Sequence, residues 1–161
     1  MEKPNTYLAI DLEPDVRDVG GIEPLHITVT PPARIEEIQI SCVIEGLHTE
    51  LSGTGEFEVR GGDIDYFGPH KDPVKVRKMK LSEQLQSVHD KAIRVMHEAD
   101  PTIDMTYAGD NYQPHSTYQH GKGVAENEKI LVSKLTLFRK FGAEWLRIAQ
   151  IGLRSDDETA S

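Results

Sequence analysis

Apolar and polar residues alternate along several short stretches of the chain and recur at helical spacing in two longer ones. Residues 5–12 (NTYLAIDL) put Leu8, Ile10 and Leu12 on one face and Tyr7, Ala9 and Asp11 on the other, the period of a first strand. Residues 13–24, with Gly20-Gly21 and two prolines, read as a loop. Leu25-His26-Ile27-Thr28-Val29 is a second strand, half-buried by its alternation and stopped by Pro31-Pro32. Residues 33–45 change to a helical period, with Ile35, Ile38, Cys42 and Val43 inward, Pro32 at the start and Gly46 at the end. Ile40 and Ile44 widen that stripe, and the Ile and Val content leaves a partly extended 38–44 as the alternative. Residues 50–59 and 63–67 read as strands separated by Arg60-Gly61-Gly62, and 74–79 (VKVRKM) as another.

The clearest helix covers 83–98, with Ser82 as N-cap, Leu85, Val88, Ala92, Val95 and Ala99 as its buried stripe, and Asp100-Pro101 as its stop. Residues 102–113 are polar and irregular. Pro114-His115-Ser116-Thr117-Tyr118 follows as a shorter, less apolar strand, then a Gly121-Lys122-Gly123 turn. Residues 130–140 and 143–153 form a closing antiparallel hairpin turned at Phe141-Gly142, and 155–161 a disordered acidic tail. The two halves echo each other, each with one major helix and one His-x-Thr strand. The order predicts an α+β fold, one domain over 1–154, in which a mainly antiparallel sheet carries helices on its outer faces.

At 161 residues the chain can bury roughly two thirds of its unfolded surface in a single core. No apolar run approaches the ~20 residues that cross a bilayer. The opening Met-Glu-Lys-Pro-Asn lacks the layout of a signal peptide, so a cytoplasmic protein is expected; no membrane association and a monomeric state are expected as well. The single Cys42 excludes an internal disulfide and any multi-cysteine zinc site, and its apolar neighbours Ile38, Ile40 and Val43 predict burial. The formal charge of -9 disfavours long polyanions, whose non-specific binding depends on Lys and Arg; a small nucleotide fits better.

The candidate chemistry lies in the two His-x-Thr stretches. On a strand His26 and Thr28 share a face, as do His115 and Thr117. Brought together, they supply an acid, a base and two neutral hydrogen-bond donors. An imidazole with a pKa near ~6.5 can take a proton or give one at neutral pH, and hydroxyls can hold non-bridging phosphate oxygens. A single His-x-Thr in a chain with seven histidines would more often be structural than catalytic; two copies in matching settings are harder to dismiss.

Tyr7, pointing away from Leu8 and Ile10, is a candidate wall of the groove and could stack on a base, as could Tyr112 and Tyr107. His89 and His97 are too far apart for the i, i+4 spacing of a zinc pair and read as solvated surface. His115 and His120 fall on opposite faces of a regular strand, so no shared metal is expected. The basic run Lys71, Lys75, Arg77, Lys78, Lys80 is either a phosphate-attracting rim or a strand edge protected by lysines.

The pair LHITVTPP and PHSTYQ, with GTGEFEV and the helix SEQLQSVHDKAIRVM between them and LVSKLTLFRKF after, resembles the 2H phosphoesterase superfamily. That group takes in RNA ligase-like proteins, cyclic phosphodiesterases and the phage (anti-CBASS) enzymes that destroy cyclic oligonucleotide signals. The likeness runs from Tyr7 to about Leu153. It implies a bilobal sheet with pseudo-twofold symmetry, a central groove carrying both motifs, and no metal or other cofactor. The residues carried over are His26, Thr28, His115 and Thr117. Many relatives have a basic residue shortly after the second motif, in a pattern like His-x-Thr-x-x-Arg, where this chain has His120. A histidine there would hold phosphate less firmly than a bidentate arginine, which weighs against long-RNA ligase or bacterial-type 2′,3′-cyclic-end chemistry. The resemblance implies a metal-independent phosphodiesterase for a small nucleotide or cyclic oligonucleotide. A non-catalytic nucleotide- or RNA-binding module and an RNA-end ligase are the alternatives.

Overall fold

The computed structural model describes residues 3–15, 24–119 and 121–154. Its strands are β1 (Thr6–Asp11), β2 (His26–Thr28), β3 (Phe57–Phe67), β4 (Val74–Met79), β5 (His115–Thr117), β6 (Lys129–Val132), β7 (Lys134–Phe141) and β8 (Glu144–Gly152). The helices are α1 (Ile40–Leu51) and α2 (Glu83–Ala99). All eight strands join one curled sheet in the order β6-β3-β4-β5-β2-β1-β7-β8, and every pairing between them is antiparallel. The order divides into two four-stranded halves that meet where β5 pairs with β2, so the two His-x-Thr strands form the seam. The α+β, bilobal expectation holds.

One face of the sheet builds the main core. Leu8, Ile10, Ile27, Leu135, Leu137 and Ile151 pack there with Val43, Leu47 and Leu51 of α1 and Leu85, Val88 and Met96 of α2. The opposite face of the β1/β7 half carries a smaller cluster of Tyr7, Ala9 and Phe138, with Trp145 packed against it. Alternation along β1 therefore separates its two sets of side chains as the sequence predicts. Among the described residues no helix is long and apolar enough to cross a membrane.

Several boundaries differ from the sequence reading, each for a tertiary reason. The first helix starts later than 33 because the backbone there is held by the start of β1. Ala33 N–H donates to Thr6 O at 2.7 Å, Thr6 N–H donates back at 3.0 Å, and Asn5 Oδ1 accepts from Ile35 N–H at 3.0 Å. It also runs through Gly46 to Leu51, which removes residues 50–51 from the expected strand. Gly46 is a contact point: a Cβ there would lie 3.1 Å from Val95 Cγ1 of α2. With this shift Ile38 is 83% exposed and Cys42 is exposed, both contrary to the expected inward stripe.

Gly61-Gly62 does not break β3 but kinks it, at a register shift against β4. A Cβ on Gly61 would meet the Ala125 carbonyl oxygen at 2.2 Å, so only glycine fits this close approach. The expected strand 130–140 is two strands, β6 pairing β3 and β7 pairing β1. Residues 83–98 are helical as predicted, and Ser82 Oγ caps α2 by accepting from Leu85 N–H at 3.1 Å. The expected tail at 155–161 lies outside the described residues.

Candidate active site

The seam fixes the site. Ile27 of β2 pairs with Ser116 of β5, and both side chains are buried on the helix side. Side chains alternate along each strand, so His26, Thr28, His115 and Thr117 all project from the other face. The register sets His26 across from Thr117 and Thr28 across from His115. The two histidines are then diagonal neighbours, with Cα atoms roughly 7–8 Å apart. A twofold axis through the Ile27–Ser116 pair exchanges the two motifs.

The same symmetry governs the imidazoles. His26 Nδ1 lies 2.8 Å from Pro24 O, and His115 Nδ1 lies 2.9 Å from Gln113 O, in each case the carbonyl two residues earlier. A carbonyl only accepts, so Nδ1 carries the hydrogen and Nε2 is the nitrogen that gains or loses a proton. Burial holds the His115 imidazole below its ordinary pKa, and the nearby charge of His26 acts in the same direction, against the opposing Gln113 hydrogen bond. Both threonines are half-buried, and neither hydroxyl has a hydrogen-bond partner among the described residues. The arrangement offers two imidazole Nε2 atoms and two hydroxyls to one small anion.

The surroundings of the two histidines differ. Tyr7 is only 3% exposed and sits in the wall behind His26, with ring centroids 5.4 Å apart. It also stacks on Phe138 at 5.2 Å and meets Trp145 edge-on at 4.9 Å. Its position is that of a support for His26, not an open stacking platform. Asp11 pairs with His26 across β1 and β2 and accepts from Arg147 Nε at 2.6 Å, while Arg147 also donates to Glu13 O at 2.8 Å. Alternation had placed Asp11 on this face, but nothing local in the sequence pointed to Arg147 as its partner. On the other side Phe67 meets His115 edge-on at 4.7 Å.

Tyr112 is buried, stacked on His89 at 3.9 Å, and its O–H donates to Thr28 O at 2.7 Å. His89 is fully buried, which corrects its reading as solvated surface; His97 is exposed as expected. His89 Nδ1–H donates to Val29 O at 2.7 Å, and Nε2 accepts from Gly109 N–H at 2.9 Å. This one ring thus ties the first motif strand to the loop that precedes the second. The signal was present in the spacing Leu85, His89, Ala92, Met96, a continuous helical stripe once histidine is allowed as a core residue.

The basic run is not a protected edge, because β4 lies between β3 and β5. Arg77 is committed to structure, donating to Val124 O, Gly62 O and Tyr118 Oη at 2.9, 2.9 and 3.0 Å. Lys75 sits 4.6 Å from the Tyr118 ring centre. Lys78 pairs with His115 across β4 and β5 and comes within 3.8 Å of Asp65. His120 lies outside the described residues. Among the described residues no group of three or more His, Cys, Asp or Glu side chains could hold a metal ion.

Known proteins resemble this chain in sequence and in fold. A family model described as the 2′-5′ RNA ligase superfamily matches residues 21–158. The "Putative phosphoesterase" of Bacillus thuringiensis (strain Al Hakam) is 26% identical over 111 residues, which is 69% of this chain and 60% of that protein. The chain thus aligns with less than two thirds of the length of such curated relatives. Two solved structures share the fold. TT0787 of Thermus thermophilus has a TM-score of 0.64 at 18% identity, covering 94% of this chain and 99% of that one. E. coli LigT complexed with 3′-AMP has a TM-score of 0.62 at 13% identity, with the same coverage of 94% and 99%. Two motif strands paired at the seam of a bilobal antiparallel sheet, together with the family match over most of the chain, make this protein a member of the 2′-5′ RNA ligase superfamily of 2H phosphoesterases.

Proposed function

We propose that this protein is a metal-independent phosphodiesterase that hydrolyses a small nucleotide or a cyclic oligonucleotide. The observation that carries this reading is the diagonal pair of imidazoles, each with Nδ1 bound to a backbone carbonyl and each facing a threonine across the seam. His115, whose neutral form burial favours, takes the proton of the attacking water or ribose hydroxyl on Nε2. The oxygen attacks phosphorus, the P–O bond to the leaving group breaks, and protonated His26 gives its Nε2 proton to the departing oxygen. Thr28 and Thr117 donate to the non-bridging oxygens, where charge gathers. The 3′-AMP held by LigT, a protein of the same fold, supports a nucleotide ligand, and the net charge of -9 supports a short one.

The test is a chromatographic panel of 2′,3′-cyclic, 2′,5′-linked and 3′,5′-linked substrates, including cyclic di- and trinucleotides, run in EDTA. Turnover is expected to persist in the chelator and to disappear in His26→Ala and in His115→Ala. Tight binding without product in the parent protein would reduce it to a binding module and end the catalytic reading.

A further inference from the structure

A cavity of about 230 Å³ opens beside the His115 half of the site and shares Thr28 and His115 with it. It is smaller than the ~300–1,000 Å³ of pockets for drug-sized ligands, the scale of one planar base rather than a whole nucleotide. Its walls are Pro31, Pro32, Tyr107 and Tyr112. Tyr107 is 64% exposed, an aromatic face at the cavity mouth. The floor offers little to a polar edge, since the His89 nitrogens and the Tyr112 hydroxyl are all engaged by backbone partners. Polar recognition therefore falls to the rim, where the Asp104 carboxylate and the Gln113 amide stand.

Asp104 Oδ1 accepts both the backbone N–H and the hydroxyl of Thr106, at 3.0 and 2.6 Å. Those bonds orient the carboxylate and keep it ionised, so it can only accept hydrogen bonds. Of the two rim groups, only the carboxylate is fixed in place by hydrogen bonds among the described residues, and it is matched by a base edge with two adjacent donors. Guanine has such an edge in N1–H and the N2 amine. Adenine and cytosine set an acceptor beside their donor, and uracil has one N–H between two carbonyls.

We propose that this cavity binds the base of a guanine nucleotide, stacked on Tyr107 and held along its N1–N2 edge by the carboxylate of Asp104. A base seated there sets its own sugar and phosphate against Thr28 and His115, so the inference rests on the proposed phosphodiesterase site and names which base it reads.

The experiment measures equilibrium binding to His26→Ala protein, so that hydrolysis plays no part, using the 3′-monophosphates of guanosine, inosine, adenosine and cytidine. Guanosine is expected to bind at least about 10-fold tighter than adenosine, with inosine, which lacks the N2 amine, between them. Asp104→Asn should abolish that preference without weakening the binding of inorganic phosphate. Tyr107→Ala should weaken every base by about 5- to 100-fold. Equal affinity for all four nucleotides, or a guanine preference that survives Asp104→Asn, overturns the proposal. Hydrolysis by the parent is scored separately: turnover without base preference removes the guanine pocket and leaves the catalytic reading, whereas guanine-selective binding without turnover does the reverse.

Discussion

The two halves of the sheet carry the same His-x-Thr motif in different settings. Around His26 the groove wall is closed: Tyr7, Phe138 and Trp145 pack together, and Asp11 and Arg147 form an ion pair with side chains 2% and 14% exposed. Around His115 the wall is open, with Phe67 at the ring edge and a cavity alongside. The shared features are those that the proposed acid–base chemistry needs, namely the strand register, the Nδ1–carbonyl bonds and the facing threonines. The features that differ govern stability, proton affinity and access. A duplicated motif can thus keep its geometry while one half is packed closed and the other opens onto a cavity.

The histidines give the strongest test of that symmetry. Removing either imidazole should lower kcat/KM by on the order of 100- to 10,000-fold, with thermal midpoints close to the parent value. If one variant retained parental rates, the two rings would not act as a pair. The threonines come next. Thr28→Val and Thr117→Val each preserve shape and remove a donor to the phosphate, so each should reduce kcat by on the order of 100- to 1,000-fold with little change in fold stability. Unequal effects, read by steady-state kinetics on one substrate, would show that the phosphate sits nearer one strand than the seam register suggests.

A pair of phenylalanines tests the asymmetry. Phe138 is fully buried behind His26, so Phe138→Ala should lower unfolding free energy by about 3–5 kcal/mol in denaturant melts. Phe67 is only half-buried, and Phe67→Ala should cost about 1 kcal/mol or less. Its effect should appear instead in the pH profile. Water reaching His115 raises the pKa that burial holds down, so the acid limb of kcat/KM should move to higher pH. An unmoved limb would assign the burial of His115 to other neighbours.

Much of this site was legible in the chain because it depends on local periodicity. His-x-Thr on a strand puts both side chains on one face whatever the rest of the protein does, and the alternation of β1 correctly divided Leu8 and Ile10 from Tyr7 and Asp11. What escaped the reading depends on partners distant in sequence. Residues 33–35 have a helical pattern, but hydrogen bonds to Asn5 and Thr6 hold them extended. Gly46 looks like a helix stop, yet it is the point where α2 approaches α1. His89 looks like surface because histidine is polar, and only its two backbone partners, 60 and 20 residues away, make its burial tolerable. The tight packing of Tyr112 follows from the same ring.

That buried ring also yields the smallest effect expected here, a dependence of stability on pH that again separates the halves. Burial lowers the pKa of His89, with the Val29 hydrogen bond and Asp90 opposing, and burial and His26 lower that of His115. In the unfolded chain each reverts toward 6.5. Below 6.5 the unfolded state therefore binds protons that the folded state resists. The sign follows from linkage: stability is fully present above 6.5 and declines as pH falls toward the lowered folded-state values. Protonated His89 would, in addition, turn Nε2 from an acceptor into a donor aimed at the Gly109 N–H, breaking the tie between the first motif strand and the loop before the second. Thermal midpoints measured from about pH 7 downward should fall in the parent, and the fall should flatten in His89→Gln and, by a smaller amount, in His115→Ala. A parental slope in His89→Gln would mean that other groups carry the acid sensitivity and that the ring does not act as a proton-sensitive link between the motifs.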